Sequence, residues 1–214
     1  MERKNNKIEL VFTYALVMLF SVGVVGHTMF FPKNIMLNLT PYVLLLSSII
    51  LIYFLLKENK KENFIWLTAI LLITLVIEII GVKTGKIFGS YYYGEVLGIK
   101  LFEVPLIIGV NWVMILTGAI VLSNYLRINK YYKTLAVGIL ALLFDFILEP
   151  IAVKLGYWYW SGNTIPLQNY AAWFLIAFLS SLMYSLLKAE IRVNLLAKYY
   201  IIQFVFFLLL NLFL

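Results

Sequence analysis

Cysteine is absent from the 214 residues. Disulfides, thiolate metal ligands and cysteine nucleophiles are thereby excluded. Histidine occurs once, as His27, and one imidazole beside a few carboxylates is a poor metal-ligand set. Charge is scarce: Asp, Glu, Lys and Arg make up 13% of the chain, about half the ~25% usual in a soluble domain. No P-loop, Rossmann glycine pattern, HExxH motif or nucleophile elbow occurs. Nucleotide-dependent, zinc-hydrolase and serine-hydrolase chemistries therefore have no foothold.

What the chain has in excess is apolar side chain, 64% of all residues. The apolar runs fall at 8–30, 41–56, 64–80, 105–123, 132–151, 170–187 and 195–214. Spans of about 20 residues cross a bilayer, and backbone in lipid must satisfy its own hydrogen bonds, so these runs are expected to be helices. The 41–56 run is short and is expected to extend at either end. Residues 1–214 thus read as a single transmembrane domain, an all-α integral membrane protein of about seven helices. The N-terminal MERKNNK and the run after it resemble a signal peptide. The run is too long for one and lacks a clean cleavage pattern, so it reads as a retained first span.

The net charge of +7 does not point to nucleic acid, because the cations sit in short loops. There they set topology and meet anionic headgroups. Arg3, Lys4, Lys7, Lys57, Lys60, Lys61, Arg127, Lys130, Lys133, Lys188, Arg192 and Lys198 fall on one side. Lys33, Lys83, Lys86, Lys100 and Lys154 fall on the other. That imbalance is expected to put the N-terminus in the cytoplasm and the C-terminus outside, in a multi-pass protein of the cell membrane.

Two loops on the expected outer side, 81–104 and 152–169, are rich in Gly and aromatics. They resemble each other. EIIGVKTG from Glu78 to Gly85 matches EPIAVKLG from Glu149 to Gly156 as E-x-x-x-V-K-x-G. Pro105-Leu106 followed by Trp112 matches Pro166-Leu167 followed by Trp173 as P-L-x5-W. Spans 3–4 and 5–6 therefore read as an internal parallel repeat about an axis along the membrane normal.

Charged groups inside spans are costly and default to functional hypotheses. Glu78, Asp145 and Glu149 are such groups. His27, Asn111, Gln168 and Asn169 aim at the same layer. Asp145 and Glu149 stand four apart on one helix face. Two carboxylates together in low dielectric cannot both ionise cheaply, so one is expected to keep its proton, as a general acid requires. Pro150 is expected to loosen the helix just beyond them. Blander roles exist for each. Glu78 could pair with Lys83, Glu149 with Lys154, His27 could close a helix end, and Asn111 could be interhelical glue. Asp145 has no obvious local cation.

The segments DFILEPIAVKLGYWYW (145–160), EIIGVKTGKIFGSYYY (78–93), VPLIIGVNW (104–112) and IPLQNYAAW (165–173) together resemble the CruF-type carotenoid 1,2-hydratases, membrane proteins of carotenoid biosynthesis. Membrane-bound lycopene cyclases are similar at greater distance. The resemblance implies a hydro-lyase that adds water to the terminal double bond of an acyclic carotenoid such as lycopene, γ-carotene or bisanhydrobacterioruberin. No cofactor and no metal are implied. The partners implied are the carotenoid, membrane lipid and other membrane enzymes of the pathway, with no nucleic acid. Asp145 is the expected proton donor, with Glu149 close behind and Glu78 on the water side. Substrate contact is expected from His27, Tyr93, Asn111, Trp112, Tyr157, Trp158, Trp160, Gln168, Asn169 and Trp173, with Lys83 and Lys154 tuning the acids. The same cation would cyclise if water were excluded. A transporter would place its polar site near the midplane, a retinal protein would need a lysine deep in a span, and an assembly protein would not need the Asp145/Glu149 face.

Overall fold

The computed structural model describes residues 2–30 and 33–214, with the side chains of residues 2–6, 30 and 33 outside the description. Among the cations counted for topology, the side chains of Arg3, Lys4 and Lys33 therefore lie outside the described residues. Seven helices are long and apolar enough to cross a membrane. They are α1 (Glu2–Val25, continued by a π-helical turn Gly26–Phe30), α2 (Lys33–Lys57), α3 (Lys61–Thr84), α4 (Leu106–Asn124), α5 (Lys130–Leu155), α6 (Leu167–Leu186) and α7 (Asn194–Phe213). α2 begins well before residue 41 and runs through Pro41. α5 likewise continues past Pro150 to Leu155, so the proline removes one donor without ending the helix.

The repeated motifs are helix punctuation. Gly85 and Gly156, the glycines of the two V-K-x-G segments, follow α3 and α5 with φ of 64° and 73°. Left-handed backbone after a helix is a glycine position, because a Cβ would strain it. Pro105 and Pro166 precede α4 and α6 with φ of −62° and −68°. Proline fits there because its fixed φ suits a helix start and the first N–H groups have no intrahelical partner. Asn129 caps α5 by accepting from the Tyr131 and Tyr132 N–H groups.

The two aromatic loops are not irregular. Tyr91–Tyr93 forms β1 and Trp158–Trp160 forms β4, with β2 (Lys100–Leu101) and β3 (Val104–Pro105) making a second small hairpin between them. β1 and β4 pair antiparallel in the register Tyr91 with Trp160, Tyr92 with Tyr159 and Tyr93 with Trp158. Antiparallel pairing of corresponding strands is what a two-fold axis perpendicular to them produces. The sheet closes one end of the bundle.

α4 is the core helix, with 83% of its apolar window buried against 11% for α1. It is surrounded by α2, α3, α5 and α7, while α6 lies chiefly on α5 and α1 on α7. Hydrogen bonds identify the two ends. Lys60 pairs with Glu190, joining the α2–α3 and α6–α7 turns. Lys198 pairs with Glu9 at 2.9 Å, bringing the start of α7 beside that of α1. At the opposite end, the Lys154 ammonium donates to the carbonyl oxygen of Leu214. There Gly94 donates its N–H to the Tyr157 carbonyl at 2.9 Å, and a Cβ on Gly94 would lie 2.1 Å from the Gly156 carbonyl oxygen.

That last contact is testable. Gly94→Ala is expected to lower stability by about 1–3 kcal/mol, the usual cost of over-packing, read as a lower unfolding midpoint in detergent. Gly162→Ala, whose Cβ would meet only the Thr164 hydroxyl at 3.5 Å, is expected to stay within about 0.5 kcal/mol. Equal midpoints for the two variants would refute the packing argument.

Candidate active site

Glu78 and Glu149 each stand six residues before the end of their helices, about 9 Å in from it at the α-helical rise. Asn169 lies two residues past the start of α6. All three are at the sheet-closed end of the bundle. Asp145 sits one turn before Glu149 on the same face of α5. Glu78, Asp145 and Glu149 are 3%, 1% and 2% exposed, and all three line one chamber.

The hydrogen bonds follow the repeat. Glu78 Oε2 accepts from the Tyr91 hydroxyl at 2.5 Å and the Tyr93 hydroxyl at 2.8 Å. Glu149 Oε2 accepts from the Trp158 indole at 3.0 Å and the Trp160 indole at 2.9 Å. In each half, alternate residues of a three-residue strand point the same way and bind the glutamate of their own helix. Burial, with the charge of Glu78 adding to it, pushes the Tyr91 and Tyr93 hydroxyls well above the ordinary phenol range. Both therefore stay protonated donors.

Matching Glu78 to Glu149 and Pro105 to Pro166 shows where the two halves differ. Thr74 stands where the second half has Asp145, and Ile108 stands where it has Asn169. Thr74 closes its hydroxyl on its own helix, donating to the Ile70 carbonyl at 2.8 Å. Asn169 instead bridges the acids: its amide donates to Asp145 Oδ2 at 2.6 Å and to Glu149 Oε1 at 2.9 Å. Glu149 thus accepts from three N–H groups, and none of these can accept a proton in return. That arrangement suits a carboxylate. Asp145 receives only the Asn169 amide among the described hydrogen bonds, which leaves its other oxygen able to carry a proton.

The rest of the lining is aromatic. Trp112 and Trp173 stack with centroids 3.6 Å apart, and Phe88 stacks on the far face of Trp173 at 5.2 Å. Among the described residues that line the chamber none is Lys, Arg or His. Buried carboxylates without a resident cation must share protons or meet a cationic guest, and aromatic faces favour the same guest. About 10 Å³ is open to the centre of a water molecule, room for about one water.

Several expected residues are elsewhere. Asn111 accepts from Tyr199 at 3.2 Å and Gln203 at 3.0 Å, tying α4 to α7, and it lines a separate apolar cavity with His27 and Tyr157. His27 meets the Gly23 carbonyl through Nδ1 at 2.8 Å. Burial pushes the Tyr157 hydroxyl up to about 12. Gln168 is exposed and donates to the Lys86 and Ile87 carbonyls, closing the loop before β1 onto α6. Lys83 lies over the Phe102 ring at 4.7 Å and Lys154 reaches Leu214, so neither supplies the donors seen on the glutamates. Indoles, phenols and an amide do that instead, because a lysine this near the helix end extends toward the aqueous face. Tyr91 and Phe88 are chamber residues that the site assignment from sequence omitted. Tyr91 stands in one aromatic run with Tyr93, and nothing in the sequence singles out either Tyr91 or Phe88.

The family model of carotenoid biosynthesis proteins matches residues 39–214. A bisanhydrobacterioruberin hydratase from Haloarcula japonica is 32% identical over 126 residues. That match covers 55% of this chain and 43% of the relative, so the chain aligns with less than half of that protein's length. No solved structure matches.

Asn169→Leu keeps the size of the side chain and removes the bridging amide. It is expected to cost about 1–3 kcal/mol through unsatisfied buried acceptors, read as a lower unfolding midpoint. Gln168→Leu, one residue away on the exposed side, is expected to cost less than about 0.5 kcal/mol. A loss at Gln168 equal to that at Asn169 would contradict the bridging role.

Proposed function

The chain belongs to the carotenoid biosynthesis protein family, and from that premise we propose that it hydrates the terminal double bond of an acyclic carotenoid end group. The observation that carries this reading is the buried chamber: three buried carboxyls, aromatic walls, and space for about one water. The similar hydratase from Haloarcula japonica supports the reaction class.

The chemistry balances within these groups. Asp145 gives its carboxyl proton to the less substituted carbon of the double bond. The π electrons form the new C–H bond and leave a tertiary cation at the other carbon. The charge of Glu149 and the aromatic walls of the chamber stabilise that cation as it forms. The chamber water adds an oxygen lone pair to it, and the surplus proton passes to Glu78. Proton transfer among the three carboxyls restores Asp145. Nothing is oxidised, and the sum is alkene plus water to tertiary alcohol.

The asymmetry of lysine and arginine supports an orientation with the N-terminus in the cytoplasm. The acids then lie toward the outer face, off the midplane, where water is near and the long apolar body of the substrate can stay in lipid. Cyclisation uses the same first step, and the space for a water beside the acids favours capture over ring closure.

The test is expression in a host that accumulates lycopene, with the pigments analysed by mass spectrometry. A product heavier by one water is expected, and in water enriched in heavy oxygen the label should appear in it. Asp145→Asn is expected to lower its yield by about 100-fold or more, the scale of a lost general acid. An isomer of unchanged mass with a shortened chromophore would replace this reading with a cyclase. Undiminished product from Asp145→Asn would remove Asp145 from its role.

A further inference from the structure

The acid chamber has room for water but not for an alkene, so the substrate end group must rest elsewhere before it reacts. A second cavity lies directly beside it, between α1, α2, α4 and α7, with an open volume of about 140 Å³. An apolar cavity of about 150 Å³ holds benzene, so this one fits a single five-carbon isoprenoid unit. Its walls are apolar, among them Phe20, Leu44, Leu97 and Phe206. Val22 on α1 and Leu39 on α2 also line it and are 56% and 46% exposed on the bundle surface, so the cavity opens sideways toward lipid.

One side chain belongs to both spaces. Trp158 lines the apolar cavity and the acid chamber while its indole holds Glu149. Sequence neighbours split across the same partition: Leu148 and Asn111 line the cavity, and Glu149 and Trp112 line the chamber. A single layer of side chains therefore separates an isoprenoid-sized apolar space from the carboxyls.

We propose that this cavity seats the terminal isoprenoid unit of a polyene that enters from the bilayer between α1 and α2, and that Trp158 is the wall displaced when the double bond reaches the acids. The proposal rests on the hydratase reading for its choice of ligand. Binding in the cavity can nevertheless be measured without turnover.

The probe is a geranyl-length hydrocarbon with a photoreactive diazirine at its branched end. It is applied to the full chain in lipid nanodiscs, and adducts are mapped by mass spectrometry. Adducts are expected on Leu44, Leu97 and Phe206 and should be suppressed by excess lycopene. Leu44→Trp is expected to reduce them about tenfold or more by over-packing the space, while Leu44→Ala retains them. Trp158→Ala is expected to raise labelling of Asp145 and Glu149. Adducts spread over lipid-facing positions such as Leu72 and Leu175, with no competition by lycopene, would overturn the proposal in the unmodified protein alone. No gain of acid labelling in Trp158→Ala would overturn the role of the wall. Competed labelling of the cavity without any hydrated product would leave the seat standing and sink the hydratase reading. Hydrated product without cavity labelling would do the reverse.

Discussion

Three carboxyl groups share one buried chamber with no lysine, arginine or histidine among its described lining residues, and most of the architecture answers to that burden. An uncompensated carboxylate in low dielectric is among the most expensive groups a protein can bury. A lysine partner would remove the cost, but it would also neutralise the acids permanently. Hydrogen bonds from phenols, indoles and an amide spread the charge without cancelling it. Five such donors converge on the three acids. Placing four of them demands a sheet, because only strand alternation sets residues two apart on one face at this spacing. The sheet in turn joins the segments that follow the two glycine-ended helices.

The repeat explains the economy of that solution and its limit. A two-fold arrangement provides two equivalent glutamates, each served by two strand residues. Chemistry on one end of an asymmetric molecule needs inequivalent groups. The second half supplies them by Asp145 and Asn169 where the first has Thr74 and Ile108. Thr74 turns back onto its own helix, so the first half contributes one acid and the second contributes two with an amide between them. Symmetry builds the container, and two departures from it differentiate the acids.

The seven spans, the repeat and the acids were legible in the sequence because each follows from cost. Apolar runs of this length have few other uses, and Glu78, Asp145 and Glu149 are expensive wherever they fall. The strand pairing was not legible. YYY and WYW are three residues each, too short for a period to show, and aromatic residues at a membrane interface have an ordinary explanation of their own. Lys83 and Lys154 lie close to the glutamates in the sequence, but a five-residue spacing turns a side chain to another face of the helix. Asn111 was read with the acids because it lies at similar depth. Depth is readable from position in a span, whereas the direction a side chain faces around the helix depends on neighbours that an almost uniformly apolar sequence does not distinguish. In α4, buried on nearly every side, no polar face existed to set the rotation.

Under the proposed function, the separation of the two spaces bears on how hydration would be kept apart from its competitors. A cation formed in an open, wet cleft would lose a proton or react with whatever water was nearest. A cation formed in a dry pocket would close on the next double bond. In this protein the apolar cavity and the acid chamber adjoin across Trp158, and the chamber admits about one water. Under the proposed mechanism, protonation is possible only where that water already stands, so the acid and the captor are presented together. Selectivity would then rest on a count of water molecules set by the walls that stay in place, Trp112, Trp160 and Trp173, rather than on the strength of any single acid.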